Sequence, residues 1–430
     1  MVENILHHCF HEKKMGQFMS KRRVVITGLG TLNAVGNSID KTWENLLAGK
    51  SGIDKIKGFE ITDDFASQIA GEIKDLDITE YFDRRRIKKL DTYSQFALVA
   101  AKQALTDSGL LEMDFDHDRT GVLIASGIGG MRTFEEEASK MVLKGPKRIS
   151  PFFIPKMISN IASAEVAIEY QLRGINFNIT SACASANHAL GTAFRTVQYG
   201  DADIIVTGGT EASVTPLAVA GFCAMKALST RNDEPQKACR PFDRDRDGFI
   251  MAEGAGVLVM EELDHALKRG ANIYAEVVGY GITCDAFHIT APAENGEGGA
   301  RAIQNALDDA GIKPEQVEYI SAHGTSTPLN DPNETLAIKT VFGDHAYKLK
   351  INSTKSMVGH TLGAAGAIEA IVCCKTIETG KIHPTINLEN PDPLCDLDYV
   401  ADGAVESVSY THLRAHETVL DLVCRLLLEK

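Results

Sequence analysis

The chain has 430 residues, 44% of them hydrophobic and 24% charged, and its formal net charge at pH 7 is −14. This composition is typical of a soluble globular protein, and the acidic balance argues against general nucleic-acid binding, which needs a basic face. Because no stretch approaches the roughly 20 apolar residues of a membrane span and the 9 cysteines form no C-x-x-C pair, we expect a cytoplasmic protein without a membrane partner or a disulfide framework.

The first predicted strand covers residues 23–28, where a β-branched apolar run enters a glycine turn. Met19 lies shortly before this strand and is a more natural start than Met1. The preceding residues lack the basic, apolar and small-residue sections of a signal peptide. We therefore expect residues 1–18 to be a disordered or non-native extension.

Apolar strands then alternate with Ala-rich helical stretches. The pattern predicts helices around residues 96–105 and 189–197, and strands at residues 122–125 and 204–209. This alternation indicates an α/β fold in which the strands are largely buried.

The chain also repeats itself. AKQALTDSGL at 101–110 matches IQNALDDAGI at 303–312, and SANHALGTA at 185–193 matches MVGHTLGAA at 357–365. Two matches in the same order predict duplicated halves, which we place at residues 19–270 and 271–406. In this register Cys183 corresponds to Lys355. A pseudo-twofold pairing of the halves would therefore bring these two helix starts to one site.

Small residues surround a single thiol in TSACASA, residues 180–186. A strand is predicted at 175–179 and a helix after it, so Cys183 would lie at a helix start, where backbone amides can lower the pKa of a thiol. A buried structural cysteine is the alternative, and this segment alone does not decide between them.

Two further segments carry matching chemistry. SAHGTSTP, residues 321–328, places His323 in a glycine- and hydroxyl-rich turn after a strand, which is a common form of active-site loop. STKSMVGHT, residues 353–361, holds Lys355 and His360, which would both lie in the first turns of a helix. A thiolate can carry an acyl group, and a neutral imidazole can donate a hydrogen bond to a thioester oxygen that gains negative charge.

These three segments resemble the condensing enzymes of fatty-acid synthesis, in particular the 3-oxoacyl-[acyl-carrier-protein] synthase II family. The likeness runs from about residue 21 to residue 400. It implies a thiolase-like five-layer αβαβα sandwich, built from two duplicated α/β halves, that forms a homodimer. It also implies the decarboxylative condensation of acyl-acyl carrier protein (acyl-ACP) with malonyl-ACP in fatty acid elongation, giving 3-oxoacyl-ACP, carbon dioxide and free ACP.

The resemblance assigns catalytic roles residue by residue. Cys183 would carry the acyl group, while His323 and His360 would hold the malonyl thioester carbonyl as carbon dioxide leaves. Lys355 completes the catalytic set, and Glu369 is implied as a supporting group.

Further positions follow from the same resemblance. Thr325 and Thr327 match positions that bind the phosphopantetheine arm of ACP, and Ile128 and Phe222 match positions that line the acyl pocket. The carrier-docking surface of the family is matched by basic residues, namely Arg85, Lys88, Lys89, Lys147, Arg148 and Lys226.

No cofactor or metal is implied, because the substrates arrive on the phosphopantetheine of ACP. The segment 243–248 imitates a calcium loop, but Gly254 stands where the bidentate Glu is needed. A polyketide-type ketosynthase and a non-catalytic, carrier-binding partner subunit stay open as alternatives.

The sequence departs from the family at its end. Members finish with an NSFGFGGTN-type segment that supplies a gating Phe and one backbone donor of the oxyanion hole, and no such string occurs here. Residues 407–418, SVSYTHLRAHET, instead resemble a translated transposase sequencing adaptor. We therefore expect residues 407–430 to be a non-native tail that replaces this segment. We also predict that the chain as written is impaired in activity or in folding.

Overall fold

The structure, a computed structural model, describes residues 21–288 and 291–406, together with the backbone of residues 411–416 and 422–429. The extension predicted at residues 1–18 lies outside the described residues, as do the side chains of the tail predicted at 407–430. Across the described residues, no helix combines the length and the apolar character that crossing a bilayer requires.

The strands are β1 (Val24–Asn33), β2 (Asp54–Lys55), β3 (Ile69–Ala70), β4 (Thr120–Ala125), β5 (Asn176–Phe177), β6 (Ile204–Glu211), β7 (Gly254–Glu262), β8 (Ala275–Cys284), β9 (Tyr319–Ser321), β10 (Lys350–Asn352), β11 (Lys381–Ile382), β12 (Val405–Glu406), β13 (Thr411–His416) and β14 (Leu422–Glu429). The α-helices are α1 (Ile39–Leu47), α2 (Arg84–Ile87), α3 (Thr92–Asp107), α4 (Met131–Lys144), α5 (Phe153–Met157), α6 (Ile161–Tyr170), α7 (Ser185–Gln198), α8 (Pro216–Ala224), α9 (Pro235–Ala238), α10 (Leu263–Lys268), α11 (Glu297–Ala310), α12 (Asn330–Phe342), α13 (Lys355–Val358) and α14 (Ala365–Thr379). Short 3-10 helices are Ile78–Glu80, Leu110–Glu112, His117–Arg119, Pro146–Arg148, Glu294–Gly296, Pro314–Gln316, Gly343–Lys348 and Leu362–Ala364.

Ten strands form one curled sheet in the order β10-β9-β13-β14-β8-β1-β7-β6-β4-β5. Its two five-stranded halves meet where β1 pairs with β8 over residues 24–26 only. Helices α7 and α14 contact strands of both halves and therefore lie between them. Helices α3 and α6 cover the outer face of the first half, and α11, on which α12 packs, covers the outer face of the second. The predicted five-layer αβαβα sandwich is thereby confirmed.

Every residue of β1, β4, β6 and β7 is buried. Strands that are covered by helices on both faces have no solvent side, which explains why each of these segments contains a largely apolar run. The predicted helices around 96–105 and 189–197 are α3 and α7, and the strands predicted at 122–125 and 204–209 are β4 and β6. The strand predicted at 175–179 is shorter, since only β5 pairs there.

Glycines allow the same close approach of strand and helix backbones in both halves. A Cβ on Gly30 of β1 would lie 2.1 Å from the carbonyl oxygen of Ala100 in α3, and a Cβ on Gly281 of β8 would lie 2.1 Å from that of Ala302 in α11. Only glycine lets strand and helix backbones approach so closely. The duplicated helix segments thus cross their strands in equivalent ways.

The backbone of β13 pairs in parallel with β9, and β14 pairs antiparallel with β8, so both strands lie inside the sheet. The idea that residues 407–430 are a non-native tail stays a prediction.

Candidate active site

Cys183 lies in a tight turn between β5 and α7 and is only 2% exposed. The preceding Ala182 has a φ of 49°, a left-handed conformation that costs a non-glycine residue roughly 1–3 kcal/mol. Side-chain hydrogen bonds hold this turn: Ser185 Oγ accepts from the amide of Ser181 at 2.8 Å, and Ser181 Oγ contacts His188 Nδ1 at 2.6 Å. Helix α7 begins at Ser185, so the thiol precedes the helix rather than opening it.

His360 faces the thiol, with its Nε2 2.8 Å from Cys183 Sγ. The other ring nitrogen, Nδ1, accepts a hydrogen bond from the amide of Leu362 at 3.2 Å. In the neutral ring the proton therefore lies on Nε2, which donates toward the sulfur. Burial, aided by the nearby charge of Lys355, lowers the pKa of His360 well below its usual value, which keeps the ring neutral.

The prediction that Lys355 and His360 share one helix is wrong. Helix α13 ends at Val358, and Gly359 follows with a φ of 81°. His360 lies in the next turn, where its amide donates to Ile250 O at 2.7 Å and its carbonyl accepts from the amide of Ala252 at 3.0 Å. The ring is positioned by this backbone pairing and not by helical spacing.

His323 follows β9, as the sequence predicts. A buried carboxylate, Glu334 of α12, accepts hydrogen bonds from the amides of His323 at 2.8 Å and of Gly324 at 2.9 Å. The rings of His323 and His360 are 5.4 Å apart and nearly perpendicular. Cys183 Sγ and one nitrogen of each ring all lie within 4.8 Å of one another, so the two halves bring the three groups to one point. In the described part of the chain, this trio is also the group whose ligand atoms could surround a metal ion.

Behind the trio lies a buried ion pair. Lys355 Nζ contacts a carboxylate oxygen of Glu369, and both side chains are 2% exposed. Burial raises the pKa of Cys183 to about 12, although the charge of Lys355 acts to lower it. Loss of solvent therefore outweighs the groups around the thiol that lower its pKa. The resting site holds a thiol next to a neutral imidazole.

The trio forms the floor of a cavity of about 810 Å³. This volume lies within the usual range for small-molecule sites. The sequence-predicted residues that line it together with the trio are Ile128, Phe222, Lys226, Thr325 and Thr327. Phe222 packs edge-on against Phe249 at 5.4 Å, and Phe249 packs edge-on against His360 at 5.3 Å. Phe222, predicted to line the acyl pocket, is thus connected to His360 through one aromatic ring.

The other basic residues of the predicted docking surface lie outside the cavity and are exposed, namely Arg85, Lys88, Lys89, Lys147 and Arg148. They occur on two segments, one around α2 and one after α4. Lys89 Nζ lies 5.6 Å from the ring of Phe152, which connects the two segments. Lys226 is exposed and also lines the cavity.

Sequence reasoning missed Glu211, a fully buried carboxylate at the end of β6. It accepts hydrogen bonds from the amides of Gly127 at 2.7 Å and Gly363 at 3.0 Å, and from Ser213 Oγ at 2.9 Å. Burial raises the pKa of this carboxyl. Glu211 joins the turn before Ile128 to the turn after His360, and an acidic residue at a strand end carries no local signal of that role.

The chain is similar to known proteins over most of its length. Residues 21–266 match the family model described as beta-ketoacyl synthase, N-terminal domain, and residues 274–389 match beta-ketoacyl synthase, C-terminal domain. The chain is 51% identical over 382 residues to 3-oxoacyl-[acyl-carrier-protein] synthase 2 of Synechocystis sp., covering 89% of this chain and 92% of the relative. It is 52% identical over 383 residues to the protein of the same name from Staphylococcus aureus, with the same coverage of 89% and 92%.

Two solved structures are similar over nearly the whole chain. A type II PKS ketosynthase, solved with its acyl-carrier protein and bound to the hexaketide, has a TM-score of 0.88 and 39% identity, covering 95% of this chain and 99% of its own. A beta-ketoacyl synthase from Burkholderia phymatum STM815 has a TM-score of 0.89 and 32% identity, with coverage of 95% and 99%.

Proposed function

This chain belongs to the beta-ketoacyl synthase family, and on that premise we propose how its residues carry out the decarboxylative condensation of acyl-ACP with malonyl-ACP in fatty acid elongation. Its fold is the thiolase-like sandwich of this family. The observation that carries the proposal is the meeting of one thiol and two imidazoles within 4.8 Å, in the lining of a cavity of about 810 Å³.

In the first half-reaction, Cys183 Sγ attacks the thioester carbonyl of acyl-ACP. The C–S bond to the carrier breaks, and the proton of the Cys183 thiol ends on the departing pantetheine thiol. The charge of Lys355 favours the transient thiolate, because it is a nearby positive charge that acts to lower the pKa of this thiol.

In the second half-reaction, malonyl-ACP enters the part of the cavity that the departing carrier arm has left, while the acyl group stays on Cys183. The Nε2–H of His360 and the ring of His323 donate hydrogen bonds to its thioester oxygen, on which negative charge develops as the bond to carbon dioxide breaks. The resulting enolate carbon attacks the acyl-Cys183 carbonyl, and the C–S bond breaks. The products are 3-oxoacyl-ACP and a cysteine thiolate, which takes up a proton. The sequence of steps uses no metal and no organic cofactor.

The carrier docks on the exposed basic segments around α2 and after α4 and passes its arm into the cavity. ACPs are acidic, so local positive charge speeds encounter despite the net charge of −14. Thr325 and Thr327 line the cavity with their Oγ1 atoms 2.9 Å apart, which is suitable for hydrogen bonds to the amides of the arm. Cys183, Cys223 and Cys239 form no disulfide, which supports a cytoplasmic enzyme.

The chain forms a homodimer through the open edge of its sheet. Strand β5 is the last strand at one end, and both of its residues are exposed, Phe177 by 42%. A second cavity of about 300 Å³ is lined by exposed apolar side chains that include Phe134 and Ile158. Unpaired edge strands need cover. Since Ile128 lines both cavities, a second copy at this edge would also close the acyl pocket.

A polyketide-type ketosynthase is the second candidate, favoured by the likeness to the ketosynthase that was solved with a hexaketide. The two kinds of enzyme differ in their products. A fatty-acid enzyme extends its acyl group once before the product is released, whereas a polyketide enzyme extends it repeatedly without reduction. A non-catalytic partner subunit would not need the Cys183–His360 contact.

Mass spectrometry of the protein after exposure to acyl-ACPs of graded chain length tests the proposal. The peptide that contains Cys183 should gain the acyl mass, and added malonyl-ACP should discharge it as 3-oxoacyl-ACP extended by two carbons. Cys183→Ala should gain no acyl mass, while the control Cys223→Ala, a half-buried cysteine of α8, should behave as wild type. Acylation that persists in Cys183→Ala would refute the assignment, and products with several unreduced extensions would favour the polyketide reading.

A further inference from the structure

The segment RPFDRDRDGF, residues 240–249, contains a charged cluster that the proposed reaction does not use. Within it, the side chain of Arg246 is only 4% exposed, although a guanidinium is always charged. Its Nε donates to the carbonyl of Thr327 at 2.8 Å, and one terminal nitrogen lies 3.2 Å from the carbonyl of Pro328. One planar group thus holds two successive carbonyls of the turn that lines the cavity.

The other side of the same guanidinium is anchored to the protein body. The second terminal nitrogen, Nη1, donates to the carbonyl of Asp243 and to a carboxylate oxygen of Asp392, both at 2.7 Å. A carboxylate oxygen of Asp331, at the start of α12, lies 3.6 Å from Nε. The cluster therefore connects the cavity turn to two separate parts of the chain.

The turn needs such an anchor because its backbone is strained. Ser326 has a φ of 67°, a left-handed conformation that is unfavourable for a residue with a side chain. Its hydroxyl accepts from the amide of Arg240 at 2.9 Å, and its carbonyl accepts from the amide of Gly248 at 3.2 Å. All these contacts come from residues 240–248, so this segment holds the turn from behind.

The position of the turn decides where the hydroxyls of Thr325 and Thr327 stand. Thr327 carries both the carbonyl that Arg246 binds and one of the two hydroxyls. Its Oγ1 lies 2.9 Å from Thr325 Oγ1 and accepts a hydrogen bond from the amide of Asn330 at 3.2 Å. A displaced carbonyl would therefore carry the hydroxyl pair with it. Cys183 and His360 have no contact of this kind with Arg246.

We propose that Arg246 is a positioning residue for the pantetheine arm: it holds the 325–328 turn so that the two threonine hydroxyls meet the amides of the arm. The proposal rests on the proposed function, which assigns the arm to this cavity. Arg246 would then affect the binding of substrates that carry the pantetheine arm, whereas the reactivity of the Cys183 thiol would depend on other residues.

The test compares two acyl donors for Cys183, namely hexanoyl-pantetheine, which carries the arm, and S-ethyl hexanethioate, which carries none. The variant Arg246→Lys keeps the positive charge but cannot bind two carbonyls with one planar group. The second-order rate constant of Cys183 acylation, followed by mass spectrometry, should fall about tenfold for the pantetheine donor. This factor corresponds to the loss of about one hydrogen bond between the arm and the turn. The rate constant should change less than about twofold for the ethyl donor, as should alkylation by iodoacetamide.

Arg244→Gln is the matched control, because Arg244 lies two residues away in the same segment but is 66% exposed. It should leave both rate constants unchanged. Should Arg246→Lys unfold, Asp392→Asn removes one anchor of the guanidinium and should shift the ratio of the two rate constants in the same direction, by about threefold. An unchanged ratio in the folded variants, or an equal loss for both donors, overturns the proposal. If folded wild-type protein is not acylated even slowly by either donor, the proposed function itself fails, which is a distinct result.

Discussion

Removal of the Glu369 charge should destabilise this protein more than removal of an ordinary surface charge. The carboxylate pairs with Lys355, and both side chains are 2% exposed. In Glu369→Gln the ammonium of Lys355 stays buried without its counter-charge. Breaking a buried pair in this way typically costs about 3–5 kcal/mol, because the remaining charge keeps its desolvation penalty and loses its partner.

The expected change in melting temperature follows from the size of the chain. Unfolding entropy is about 2.1 cal/mol/K per residue, which for 430 residues gives roughly 0.9 kcal/mol/K. A loss of about 3–5 kcal/mol should therefore lower the melting temperature by about 3–6 °C. Differential scanning calorimetry at one fixed scan rate and protein concentration measures this shift.

Two further variants make the experiment decisive. In Lys355→Met/Glu369→Leu both charges are gone, so the melting temperature should return to within about 2 °C of wild type even though activity is lost. The control is Asp396→Asn, whose carboxylate pairs with Lys339 at 2.9 Å but with side chains that are 40% and 31% exposed. An exposed pair contributes about 0–1 kcal/mol, so this control should melt within about 1 °C of wild type. Equal shifts for Glu369→Gln and Asp396→Asn would refute the argument from burial.

The site geometry supports three more predictions. Cys183→Ala should abolish acyl-enzyme formation, whereas His323→Ala and His360→Ala should still be acylated but should release little carbon dioxide from malonyl-ACP; mass spectrometry and a carbon dioxide assay separate these outcomes. Because the pKa of Cys183 is raised to about 12, the thiolate fraction, and with it the rate of iodoacetamide alkylation, should rise about tenfold per pH unit from pH 7 to 9; a plateau below pH 9 would contradict this. Charge reversal of Lys88 and Lys89 should raise the KM for acyl-ACP with little change for a small thioester, and equal effects on both substrates would argue against docking there.

The sequence by itself determined the architecture and the chemical groups. Strands buried between helical layers are rich in apolar residues, and this local pattern predicted β1, β4 and β6. Two pairs of matching segments in the same order predicted two halves. In the structure, the helices of the first pair cross their strands in equivalent ways. Cys183 and the two histidines were candidates because each stands in a segment of small or hydroxyl-bearing residues, and the resemblance of the three segments to one family assigned their roles.

Tertiary structure alone decided how these groups behave. The amides near α7 favour a thiolate when Cys183 is considered locally, but packing of both halves removes solvent, and the pKa of the thiol rises instead. Glu211 and Arg246 bind turns that are 84 and 81 residues away in sequence, so no local pattern identifies these contacts. Desolvation and long-range hydrogen bonding depend on which segments meet in space, and only the folded chain brings those segments together.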